Sequence, residues 1–222
     1  MNEAQLLKII ELMAHKVKNP SHSVGLNLEV LRSKVKKSGA GKADDLNKNI
    51  DIIDSEMKRL NLIIEKFVEF MTPAGKEKKK TDIAKLFKIL RSQAEPIAAE
   101  YQVKLEFQPP AKKCVVNINS EEICKALLYL IQNAIEGSEP GKTVMIQTEE
   151  KGKEISIHIE DSGSGVMKEN GPKIFEICYT TKSKHIGMGL PLARKIIEEN
   201  GGKIRMRTAA KQGTQVFITF AL

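Results

Sequence analysis

Tryptophan is absent from this chain of 222 residues, and aromatic residues together make up only 5% of it. Nothing resembles a recognition helix, and no aromatic side chains are interleaved with a basic stripe, so a nucleic-acid partner is not expected. Long apolar runs are missing as well. None approaches the roughly 20 residues that cross a bilayer, so direct membrane insertion is not expected. Charges interrupt every apolar run in residues 1–20, which excludes a signal peptide there. Cysteine is scarce: Cys114, Cys124 and Cys178 are odd in number and form no CxxC pair. Free thiols in a reducing, cytoplasmic setting are the simplest reading. The four histidines, at 15, 22, 158 and 185, form no HExxH set. Acidic residues are outnumbered 28 to 36, giving a net charge of +8. The lysines are scattered apart from one run, Lys76–Lys80, and read as solvated surface plus a linker; an acidic protein partner is compatible with that sign.

What is present suits a soluble globular protein: 41% hydrophobic and 29% charged residues, and length for one or two domains with their own cores. Residues 3–37 read as one helix, with Leu6, Ile10, Met13, Val17, Pro20, Val24, Leu28, Leu31 and Val35 stepping by threes and fours. Pro20 is expected to kink it, and Ser38–Gly41 to stop it. Residues 45–71 repeat the pattern without a break through Leu46, Ile50, Ile53, Met57, Leu60, Ile64, Phe67 and Met71. Two such helices make an antiparallel hairpin. Ile52, Ile63, Val68 and Phe70 widen the apolar stripe beyond what one hairpin covers. Pairing with a second copy as a four-helix bundle buries it; the alternative is a monomeric hairpin packed on a second domain. The predicted division is therefore a hairpin at 1–72, a linker at 73–80 marked by Pro, Gly and the lysine run, and a second domain at 81–222. In that domain three helical segments alternate with short strands and two hairpins, around Gly152 and Gly213. This predicts an α+β sandwich with helices on one face of a mixed sheet.

The second domain is organised around Glu154–Leu192. The strand EISIHIE ends in Asp161 and runs into Ser-Gly-Ser-Gly, with Gly163 and Gly165. A lid-like stretch containing Phe175, Thr180, Thr181 and Lys182 follows, and Gly187-Met-Gly-Leu190 opens a helix. An acid at a strand end accepts a hydrogen bond from an exocyclic amine. Glycines let backbone N–H groups come close to a ligand, and a helix N-terminus favours phosphate. Together these describe a nucleotide pocket.

Asn133 in LLYLIQNAIEG, Asp161-x-Gly-x-Gly, Phe175 with Thr180-Thr181-Lys182, Gly187-x-Gly-Leu190 and Gly213-Thr214 resemble, in order, the N, G1, F, G2 and G3 boxes of sensor histidine kinases. His15-Lys-Val-Lys-Asn19-Pro20 resembles the phosphoacceptor box. The resemblance implies a dimeric phosphoacceptor bundle joined to a Bergerat-type ATP-binding domain, the fold shared with gyrase and Hsp90. It implies that His15 takes the γ-phosphate of ATP and passes it to an aspartate of a response-regulator receiver domain. Asn133 would ligate Mg²⁺, and Asp161 would read adenine. Gly163 and Gly165 would turn the chain past the base. Gly187, Gly189 and Leu190 would serve the triphosphate, with Thr181 and Lys182 in the lid and Thr214 near the base. Asn19 would position water for receiver dephosphorylation. Two positions depart from the family: Lys16 stands where an acid usually follows the histidine, and Tyr129 where an Asn or acid often precedes Asn133. They favour a rival reading, a kinase-impaired phosphatase or scaffold that docks a receiver; a second rival, an ATPase of the gyrase or Hsp90 group, normally carries an acid near the asparagine, which position 129 lacks.

Overall fold

Seven-residue apolar spacing becomes two helices, α1 (Glu3–Lys37) and α2 (Ala43–Met71), packed side by side. This computed structural model describes residues 3–37, 43–73, 77–166, 173–182, 185–208 and 213–222. The expected stop at Ser38–Gly41 lies outside the described residues. The chain divides into two units, one of Met1–Thr72 with Thr180–Ile186, the other of Pro73–Tyr179 with Gly187–Leu222.

In the hairpin, α1 runs unbroken through Pro20, which is buried. Part of the predicted seam is interior, with Met13 and Pro20 buried and Leu46, Ile53, Leu60 and Phe67 half-buried, and the rest is displaced to neighbouring residues. Ile9 and Met13 are buried while Ile10, Leu28 and Val35 are exposed; Asn49 and Ile63 are buried while Ile50, Met57 and Ile64 are 49%, 45% and 50% exposed. The apolar stripe is wide enough to present two faces, so counting heptads alone does not tell which one closes the hairpin. A polar layer marks the interior: Asn49 Nδ2 donates to Asn27 Oδ1 at 2.8 Å, and Lys34 Nζ donates to Asn49 Oδ1 at 2.9 Å. A satisfied polar group of this kind pins the register of two helices that apolar contacts alone would let slide.

The second unit contains α3 (Ile83–Glu100), α4 (Ser120–Gly137) and α5 (Gly189–Glu199). Its five-stranded sheet is ordered β2 (Lys104–Gln108), β4 (Thr143–Lys151), β5 (Glu154–Asp161), β7 (Thr214–Ala221) and β6 (Lys203–Thr208). Only β2 and β4 are parallel. A separate pair joins β1 (Lys79–Asp82) to β3 (Val115–Ile118). The lysines at 79 and 80, predicted as linker, enter a strand because pairing uses the backbone and leaves both side chains in solvent.

Ile155, Ile157, Ile159, Val216, Ile218 and Phe220 occupy one face of the sheet and join residues of all three helices in a single core. Each large side chain so buried contributes about 1.5–3 kcal/mol. The opposite face carries polar residues with one aromatic pair, His158 edge-on to Phe217 at 4.8 Å between ring centres. Asp82 caps α3 through Oδ1, 2.9 Å from the N–H of Ala84. Asn119 caps α4 by accepting from the N–H groups of Glu121 and Glu122. Among the described residues no helix is long and apolar enough to cross a membrane.

One buried amide ties the ends of two helices together. Asn200 Oδ1 accepts from the Asn119 N–H at 2.8 Å, while its Nδ2 donates to Glu122 Oε2 and the Ile196 carbonyl. Truncation strands the Asn119 donor, at a cost of about 1–3 kcal/mol. Asn200→Ala is therefore expected to lower the unfolding free energy of the second unit by that amount, read as a lower urea midpoint with an unchanged slope.

Candidate functional site

The core face of the sheet is apolar in successive cross-strand rows: Ile157–Ile218–Ile204, then Ile159–Val216–Met206. The next row, by strict alternation on the same face, is Asp161–Thr214–Thr208. Apolar filling thus gives way to a carboxylate and two hydroxyls at the end of the sheet. Asp161 is only 8% exposed. Its Oδ1 accepts from the N–H of Gly163 at 2.9 Å and from that of Thr214 at 3.2 Å. The carboxylate therefore holds both the turn that leaves β5 and the start of β7.

Two glycines are dictated by crowding here. A Cβ on Gly163 would strike the carbonyl of Gly137, and Gly213, at φ +75°, lies against the backbone carbonyl of Asp161. Gly165 is also left-handed, at φ +64°. Thr208 Oγ1 completes the row, accepting from the Val166 N–H at 2.8 Å.

Helix α4 borders this end of the sheet. Tyr129, Asn133 and Gly137 recur every four residues and share one helix face. Gly163 abuts Gly137 at one end, and a Cβ on Gly189 would come within 4.0 Å of Tyr129 Cβ at the other. At 1.5 Å rise per residue those two points are about 12 Å apart along α4, with Asn133 midway. Asn133 is half-buried, and among the described residues its amide makes no hydrogen bond, so it is not used up as a local cap. Gly189 differs from Gly163 in meeting nothing closer than that 4.0 Å contact. It opens α5 behind Met188, whose side chain supplies no capping bond, leaving first-turn N–H groups for another acceptor. Leu190 packs partly against the core. Gly187 accepts from the Cys178 N–H at 3.0 Å, and Phe175 lies beneath the Arg194 guanidinium at 5.4 Å.

Gly163, with Asp161 and Thr214, thus lies at one end of this face of α4 and Gly189 at the other, with Asn133 between them on the helix. Thr181 and Lys182 belong to the unit of the hairpin. There Thr180 Oγ1 accepts from the Lys182 N–H at 3.0 Å and fixes a tight turn. His15 and Asn19 are exposed on α1, four residues apart on one face, and Lys16 is half-buried. Thr208 and Gly137 were not picked out from sequence. Thr208 was nevertheless within reach, because folding the last hairpin back across Gly213 places residue 208 beside 214. Burial pushes the Cys114 and Cys124 thiols upward, with the Glu150 and Asp82 charges adding to the effect at Cys114, so both are protonated packing residues. Among the described residues no group of three His, Cys, Asp or Glu is placed to hold a metal.

Residues 118–222 match the family model of the histidine kinase-, DNA gyrase B-, and HSP90-like ATPases. Sporulation kinase D of Bacillus subtilis is 28% identical over 98% of this chain and 43% of its own length. Sporulation kinase C of the same organism is 25% identical over 91% of this chain and 46% of its own. The chain thus spans less than half the length of either kinase. The histidine kinase ThkA, solved in complex with the response regulator protein TrrA, shares the fold with a TM-score of 0.75 at 23% identity, over 96% of this chain and 61% of that one.

Proposed function

We propose, on the premise that residues 118–222 match the family model of the histidine kinase-, DNA gyrase B-, and HSP90-like ATPases, that the chain is the catalytic core of a two-component sensor histidine kinase. The observation that carries the nucleotide half is the face of α4 from Gly137 to Tyr129. An acceptor-only carboxylate lies at one end and an open glycine with an uncapped helix N-terminus at the other, about 12 Å away. An adenine amine suits the Asp161 end, and a triphosphate suits the N–H groups of α5. Gly163 and Gly213 need no ligand to explain them, since crowding forbids a side chain. Gly189 has room for one, so its glycine is explained by close approach of a ligand.

The donor set fits ATP with Mg²⁺: Asn133 would hold the ion through its amide oxygen, and the ion would neutralise phosphate charge. His15, exposed on α1, is the proposed acceptor of the γ-phosphate. Asn19, on the same face, is proposed to orient water for hydrolysis of the receiver's acyl phosphate, and Lys182 to neutralise the transferring group. The hairpin is proposed to dimerise as a four-helix bundle. Ile50, Met57 and Ile64 support this, because they lie seven residues apart on an exposed face that a second copy would cover. A response-regulator receiver domain is the proposed partner, in keeping with the complex solved for ThkA.

The test is incubation with γ-labelled ATP and Mg²⁺. Acid-labile, base-stable label is expected on the wild-type protein and none on His15→Ala. Equal labelling of both proteins removes His15 as the acceptor.

A further inference from the structure

Thr208 Oγ1 has three polar neighbours. It accepts from the Val166 N–H at 2.8 Å, and it lies 3.2 Å from the Gly213 carbonyl oxygen and 3.2 Å from Thr214 Oγ1. A hydroxyl has one proton and two lone pairs. The Gly213 carbonyl can only accept, so the Thr208 proton goes there. Val166 takes one lone pair. The contact with Thr214 is then a hydrogen bond only when Thr214 donates. Thr208 thereby uses its full valence, and the Thr214 hydroxyl has its proton turned away toward β6. What Thr214 keeps is lone pairs. It shares its row with Asp161, which it faces in register across β5 and β7 and whose carboxylate accepts from the Gly163 and Thr214 N–H groups.

On the reading of this end of the sheet as the base end of a nucleotide pocket, we propose that Thr208 is a positioning residue that sets base specificity, by holding the Thr214 hydroxyl as an acceptor. Two acceptors side by side favour a 6-amino purine. A 6-oxo purine turns its own lone pairs toward theirs and is rejected. Asp161 cannot change that polarity, having no proton to rotate. Thr214 can, and Thr208 is what stops it. The arrangement ties three segments into the preference: the residue after the glycine run, the end of β6 and the start of β7.

The experiment compares ADP with inosine diphosphate, which differ at the purine 6-position, by calorimetry on the full chain. Wild type is expected to prefer ADP. Thr208→Val keeps the branched shape, removes the partner and frees the Thr214 proton. The ADP-to-IDP affinity ratio is expected to fall about tenfold, the scale of one neutral hydrogen bond, and Thr208→Ser to restore it. Thr214→Val deletes the polarised hydroxyl itself and is expected to lower the ratio likewise, which covers the case in which Thr208→Val does not fold. If both affinities fall together with the ratio unchanged, Thr208 is only structural and the assignment is overturned. If wild type binds neither nucleotide, the nucleotide reading falls first and this assignment with it.

Discussion

Asp161→Asn should weaken ADP binding about 10–100-fold while leaving the fold in place. The two effects separate because of which atoms the substitution changes. Oδ1, which holds the N–H groups of Gly163 and Thr214, remains an acceptor in asparagine. The carboxylate's other oxygen becomes an NH₂, a donor presented to an amine that also donates. Hydrogen bonds to a charged partner are worth about 1.5–3 kcal/mol, which gives the expected loss. Asp161→Ala is the contrasting variant. It removes the bonds to Gly163 and Thr214 as well, so melting temperature is expected to fall along with affinity. Calorimetry with ADP and a thermal melt on both variants suffices. An unchanged ADP affinity in Asp161→Asn would remove the base from this end of the sheet.

The second large effect is expected at Lys16, and in the unusual direction of a gain. Lys16→Glu should raise the rate of His15 labelling by about 10²-fold or more. As the imidazole attacks phosphorus, positive charge develops on the ring and its second N–H needs an acceptor. A carboxylate beside the histidine supplies one, and general-base help of this kind is worth about 10²–10⁴ in rate. Lysine offers no acceptor and adds a like charge. Asn19 stands four residues on, on the same exposed face, and an amide that orients water needs no base. Asn19→Ala should therefore impair receiver dephosphorylation and leave labelling alone. This pattern would describe a wild-type protein biased toward the phosphatase direction. If Lys16→Glu leaves the labelling rate unchanged or lowers it, another acid serves the histidine or His15 is not the acceptor.

Much of the architecture was legible because it follows from local periodicity. The strand EISIHIE alternates strictly and is strand β5, with its three isoleucines buried. The segment around Leu127 and Ile131 has helical spacing and is α4, with both residues in the core. Turn glycines at 152 and 213 mark the two hairpins where they occur, each at positive φ. The strand at Lys79–Asp82 was not legible, since four residues beginning with two lysines carry no strand signal and are held only by pairing with Val115–Ile118. In the hairpin seam Ile10, Ile50 and Ile64 give way to the residue before each, while Met13 and Pro20 are buried as expected. Its helices are apolar on adjoining stripes, and the residue that locks the register, Asn49, is polar and gives no apolar signal.

The candidate site divides along the same line. Sequence alone determined the chemistry in the order it occurs: an acid at a strand end, glycines after it, a glycine-opened helix, an asparagine on a preceding helix and a histidine before Asn19-Pro20. These depend on residue type and on neighbours within a few positions, which a linear reading carries. The tertiary structure decided what the glycines are for and which residues stand together. Gly163 is glycine because the Gly137 carbonyl occupies its side-chain space, whereas Gly189 has space to spare. Thr208 joins Asp161 only because β6 and β7 pair around Gly213 and bring residues 47 positions apart into one row. Cross-strand register and the approach of a helix to a sheet edge are set by packing of the whole core. No window of sequence contains that information.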